Sequence, residues 1–189
     1  KLKFTYNSDT KEITEYDNKG SSLAIFAARE DGTKGGQIYW FYNVYDSNER
    51  LIKAVKSKGA TPSPFPASEP TANLVSKTFY TAVEGRVEGQ IFYASDGATV
   101  ELERMYVYVN GALSSMKERT TDARGQEIIK SYFYEGSPNQ EKIVRMSDPS
   151  KLSDTYYFYT DTLTAADISK MGLDSLSLAG IDIDMDDDE

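Results

Sequence analysis

The chain has 189 residues, 39% hydrophobic and 27% charged, which suits one domain with a core and is too apolar for a disordered chain. It contains no His and no Cys, which excludes the usual zinc sites, thiol nucleophiles, Ser-His-Asp triads, haem, Cys-ligated iron–sulfur clusters and disulfides. With 30 acids against 21 bases (formal charge -9) and a pI of about 4.7, it has no electrostatic basis for binding nucleic acid or an anionic membrane surface.

In chain order, short runs rich in Tyr, Phe, Val, Ile and Thr alternate with Gly, Asn, Asp, Ser and Pro, the signature of strands and turns. Strands are expected near Leu2–Tyr6, Glu12–Tyr16, Leu23–Arg29, Gln37–Tyr45, Leu51–Lys56 and Leu74–Thr81. Six more follow near Arg86–Tyr93, Thr99–Val109, Ala112–Thr120, Glu127–Tyr134, Lys142–Met146 and Thr155–Tyr159. Turn signals separate them at Asn18-Lys19-Gly20, Asp31-Gly32, Asp96-Gly97, Asn110-Gly111 and Asp122-Ala123-Arg124-Gly125. Asn110-Gly111 predicts a type I′ hairpin, because both central positions of that turn need positive φ. Residues 61–70 carry Pro62, Pro64, Pro66 and Pro70, which cannot donate to a sheet ladder, and read as an extended surface loop. Thr164–Met171, capped by Thr164 and stopped by Gly172, reads as one short helix. The expected architecture is therefore all-β: an antiparallel meander, forming a closed barrel or a strongly curved sheet, with one short C-terminal helix. A single β domain spans 1–181 and an acidic tail spans 182–189. No run of about 18 apolar residues suggests a membrane span, and Lys1 reads as the start of a mature or trimmed fragment.

Aromatic residues occupy both faces of several strands. In residues 39–45, Tyr39, Phe41 and Tyr45 share one side while Trp40, Tyr42 and Val44 share the other. Tyr106 and Tyr108 oppose Met105, Val107 and Val109, and Tyr132 and Tyr134 flank Phe133. Tyrosine suits a half-wet sheet, since its ring buries area while its hydroxyl stays solvated. Cross-strand pairing accounts for such residues in structural terms. In functional terms they form an aromatic binding surface: Tyr39, Trp40, Tyr42, Tyr106, Tyr108, Tyr132 and Tyr134, with Trp40, the sole tryptophan, foremost.

Tyr45-Asp46-Ser47-Asn48-Glu49-Arg50-Leu51 resembles the YD repeat of bacterial Rhs-type surface proteins, in which Tyr-Asp and two spacers precede Gly-Arg-Leu. Asp122-Ala123-Arg124-Gly125-Gln126-Glu127-Ile128 resembles its second half, and Tyr16-Asp17-Asn18-Lys19-Gly20 resembles it more loosely. Glu49 stands where that family has Gly. The resemblance implies bacterial, meander-type β structure. The order of many strands, one short helix and a final apolar stretch (Leu176, Leu178, Ile181, Ile183) also resembles lipocalin-like barrels, although no Gly-x-Trp marks the first strand.

Gly32-Thr33-Lys34-Gly35-Gly36 leads into a strand rather than a helix, so it reads as a hairpin tip and not as a phosphate loop. Asp182, Asp184 and Asp186 share the spacing of the first ligands of a calcium loop. The glycine and the later Glu of such a loop are missing, so the tail is a solvated run or a docking segment for a basic patch or protein partner. No spacing marks a catalytic carboxylate pair. These features point to a non-catalytic binding protein, secreted, periplasmic or on a bacterial surface, with no cofactor. Its partner is a glycan, a peptide or a hydrophobic small molecule. The alternatives are a lipocalin-like barrel carrying or ligating a hydrophobic molecule or chromophore, and a structural subunit of a larger assembly.

Overall fold

Three stretches of this sequence, 17–21, 46–50 and 122–126, fold into the same five-residue turn. In each, the first Asp accepts backbone N–H bonds on its carboxylate from the third and fifth residues: Lys19 and Ser21 on Asp17, Asn48 and Arg50 on Asp46, Arg124 and Gln126 on Asp122, all at 2.8–2.9 Å. The fourth position is left-handed and holds Gly20 (φ 87°), Glu49 (φ 61°) or Gly125 (φ 78°). A short carboxylate that bonds its own backbone, followed by a residue free to take positive φ, is what closes such a turn. These are the three stretches that carry the YD resemblance. At Asn110-Gly111 both residues have positive φ, 49° and 82°, as a type I′ hairpin demands.

A computed structural model describes residues 3–81, 85–151 and 153–157. Its strands are β1 (Lys3–Asn7), β2 (Glu12–Tyr16), β3 (Ser22–Ala28), β4 (Lys34–Tyr45), β5 (Leu51–Lys58), β6 (Leu74–Tyr80), β7 (Val87–Tyr93), β8 (Val100–Val109), β9 (Ala112–Thr121), β10 (Glu127–Glu135), β11 (Lys142–Asp148) and β12 (Ser153–Tyr156). They form one sheet in strict sequence order, with every neighbouring pair whose register is defined running antiparallel. The expected meander is present. The expectation of a closed barrel is corrected: β1 and β12 are the two ends of the strand order and do not pair, so the sheet stays open. Among the described residues there is no helix. The helix expected at Thr164–Met171 and the acidic tail lie outside them, as do Asp182, Asp184 and Asp186. The chain divides into two units, Lys1–Thr155 and Tyr156–Glu189; only Tyr156 and Tyr157 of the second are described.

Cross-strand partners share a face, so the register sorts the side chains. One face carries Ala24, Trp40 and Ser57 in a row, with Val55 beside Tyr42 and Leu74 following Ser57. All of these except Tyr42 are buried, and Ile13 on β2 extends the core. Over Trp40 and Tyr42 lies the loop 59–73 between β5 and β6, which folds back onto this face as a strap. The Phe65 ring meets Trp40 edge-on and stacks on Tyr42, both at 5.9 Å between centroids. Glu69 accepts hydrogen bonds from Lys53 and Lys77, neighbours on the same face. The Gln37 amide donates to Thr61 at 2.7 Å near the start of the strap. The prolines of the loop thus leave the ladder, as expected, and the loop becomes the lid of a small core. Gly97 supports it from the β7–β8 turn. A Cβ there would lie 2.7 Å from the Asn73 backbone, so only glycine allows that approach.

The strap spans only the first half of the sheet. From β8 to β10 burial moves to the opposite side: Met116 is buried there while Met105, Val107 and Val109 on the strap side are exposed.

Candidate functional site

The second half of the sheet collects tyrosines on the face away from the strap. Tyr106 pairs with Met116, Met116 with Tyr132, and Tyr132 with Met146, so four strands contribute one row of alternating ring and thioether. Thioether–ring contacts are favourable and adaptable, which suits a surface that is half buried. The Tyr106 hydroxyl and Gln90 Oε1, on neighbouring β7, are hydrogen-bonded at 2.8 Å. The Tyr108 hydroxyl donates to the Val87 carbonyl at 3.0 Å, with the Arg86 guanidinium 5.3 Å from its ring. Both rings are therefore held at two points, Cα and hydroxyl, and partial burial raises the Tyr108 phenol above its ordinary value. A parallel row of charges runs alongside. Arg104 donates to Glu118 at 3.0 Å, Glu118 pairs in register with Lys130, and Lys130 lies 4.0 Å from the buried Asp148.

The seven aromatic residues singled out from the sequence do not share one surface. Tyr106, Tyr108, Tyr132 and Tyr134 are on this face. Tyr39 is on the same face but on β4, four strands or roughly 19 Å from β8 at the usual strand spacing. Its ring is covered by the Lys56 ammonium at 3.9 Å. Trp40 and Tyr42 are on the opposite face under Phe65, and Trp40 is only 5% exposed. The alternation read in residues 39–45 is the one the register shows, but it separates these residues rather than uniting them.

Met116, Met146 and Gln90 join the tyrosine row without a signal in the sequence. A two-residue turn at Asn110-Gly111 sets Val109 opposite Ala112, and a regular ladder would then place Tyr106 opposite Ser115. A bulge between Val107 and Tyr108 shifts the register by one residue and brings Tyr106 opposite Met116. Phe65 did have a signal: it is the only aromatic residue in the proline-rich loop.

A shallow groove of about 330 Å³ lies on the strap side, lined by Phe79, Gly89, Ile91, Glu103 and Met105 among others. Among the described residues no three acids converge as metal ligands, and no helix is long and apolar enough to cross a membrane. Comparison with protein-family models and with curated proteins finds no match for this chain.

Proposed function

We propose that this chain is a non-catalytic recognition module, and that the tyrosine face of β8–β10 is its contact surface. The observation that carries this reading is the anchoring of Tyr106 and Tyr108 through their hydroxyls, to Gln90 and to the Val87 carbonyl. Rings fixed in advance lose little entropy when a ligand stacks on them, which is what makes tyrosine an effective contact residue. The ligand classes that suit such rings are a glycan or a peptide, because an open sheet has no interior in which to enclose a carried molecule. A place on a bacterial surface or in an envelope belongs to the same reading. It draws on the three Asp turns that resemble the YD repeat.

Titration calorimetry against a panel of oligosaccharides and short peptides tests the proposal. Tyr106→Ala and Tyr108→Ala should weaken binding by about tenfold or more, the loss of a stacked ring, with the circular dichroism spectrum unchanged. Trp40→Ala should lower stability and leave affinity intact. An affinity that follows Trp40 and ignores Tyr106 and Tyr108 would refute the assignment.

A further inference from the structure

The strap side of the second half of the sheet carries a second, separate surface. Met105 is 62% exposed, Val107 51% and Val109 53%, a contiguous row along β8, and Ile129 of β10 is exposed on the same side. Contiguous exposed apolar side chains on one face mark an interaction site more often than chance placement. Next to this row, Gly89 pairs with Phe79 on one side and Met105 on the other. Its missing side chain leaves the groove of about 330 Å³ between them. Lys117 stands opposite Met105 on the same face, exposed, with no ion pair among the described residues. Its neighbour Arg119, by contrast, is engaged by Glu103 and Glu127.

The molecule shows how it covers this same face in its first half. The strap presses one aromatic anchor, Phe65, onto the Trp40 and Tyr42 rings, and four residues later its Glu69 neutralises Lys53 and Lys77. The second half offers the same two receptors, an apolar seat at Gly89 and Met105 and an unneutralised ammonium at Lys117, with no strap of its own among the described residues. We propose that this surface docks an acidic, extended polypeptide segment of a partner, with an apolar anchor side chain in the Gly89 groove and a carboxylate on Lys117. This site lies on the face opposite the tyrosine row and does not depend on the function proposed for that row.

The test uses a fluorescein-labelled peptide with the strap sequence, residues 61–73, titrated into the full chain and followed by anisotropy. Two variants are informative because both should fold. Gly89 has no positive φ, and a Cβ there meets only ordinary contacts (Arg104 O at 3.5 Å, Phe79 Cδ2 at 3.8 Å), so the backbone accepts a side chain and the methyls of Gly89→Val enter the groove. Lys117→Glu changes an exposed side chain. Saturable binding that each variant weakens by about tenfold or more is expected, with Trp40 fluorescence constant because the resident strap stays in place. A peptide bearing Glu69→Lys should recover binding to the Lys117→Glu protein. The proposal is overturned by an absence of saturable binding, by equal binding to both variants, or by binding that unseats the resident strap and shifts Trp40 emission. It is also overturned if sedimentation shows the chain alone forming dimers that Gly89→Val abolishes, since a second copy would then be the occupant.

Discussion

Phe65→Ala is the most direct probe of the strap. Phe65 is 53% exposed, so it buries slightly under half of its surface, roughly 90 Å² of a ring that covers about 200 Å² when fully buried. At about 25 cal/mol per Å² that burial is worth roughly 2 kcal/mol. The edge-on and stacked contacts with Trp40 and Tyr42 add about 0.5–1.5 kcal/mol each where rings are well packed, and less at a partly wet site. A loss of about 2–3 kcal/mol leaves the two Glu69 ion pairs and the Gln37–Thr61 hydrogen bond as the strap's side-chain ties, each worth about 1 kcal/mol or less, so the strap should lift before the sheet unfolds. Trp40 is the only tryptophan, which makes fluorescence specific for this event. The expected outcome is a red-shifted emission and several-fold stronger acrylamide quenching at temperatures where the β-sheet circular dichroism is intact. Unchanged emission and quenching in Phe65→Ala would mean that something other than the strap keeps Trp40 from water, and the account of the core would fail.

Three further outcomes follow from the turns and the core. Glu49→Gly should raise stability by about 0.5 kcal/mol in urea denaturation. Left-handed backbone costs a non-glycine residue about 1–2 kcal/mol, against a glycine entropy cost of about 0.5–1 kcal/mol and an exposed Lys19 ion pair worth a few tenths; destabilisation would contradict the turn assignment. Ser57→Ala should be neutral or stabilising by up to about 1 kcal/mol by the same method, because the fully buried Ser57 Oγ has no hydrogen-bond partner among the described residues. Acid should loosen the strap and the first turn. Partial burial pushes Glu69 and Asp17 up, but the hydrogen bonds from Lys53 and Lys77, and from Tyr45 and the Ser21 and Lys19 amides, hold both below their ordinary values. A lowered folded value means their contribution is complete above the unfolded value, about pH 4–4.5, and is lost as pH falls through the folded value. Melting temperature measured from pH 6 to pH 2 should therefore fall less steeply for Glu69→Gln than for the parent chain.

Eleven strands were legible near their observed bounds, because Asp, Asn, Gly and Pro between the runs mark the chain reversals; the twelfth was expected at Thr155–Tyr159 and is found at Ser153–Tyr156, with Phe158 and Tyr159 outside the described residues. What alternation does not reveal is which side is dry. Trp40 and Tyr39 are adjacent and both aromatic, so the pattern alone offers two equivalent faces. The choice is made by Phe65, twenty-five positions away, whose stacking depends on a loop of non-repetitive backbone. The site was partly hidden for a related reason. Bulges such as the one before Tyr108 shift cross-strand partners by one residue, and no local residue pattern signals them, so the alternation of Tyr106, Met116, Tyr132 and Met146 appears only in the folded register. The closed barrel was an extrapolation from strand number, and strand number does not determine closure; pairing of the first strand with the last would have been required.

The bond from the Tyr45 hydroxyl to the Asp17 carboxylate ties one Asp turn to the next along the same end of the sheet. The tyrosine that opens one Tyr-Asp unit thereby grips the aspartate of the unit before it, while that aspartate still closes its own turn. A hairpin duplicated with its Tyr-Asp start would carry its own clasp for its neighbour. Lengthening such a chain by copying would then need no compensating change elsewhere.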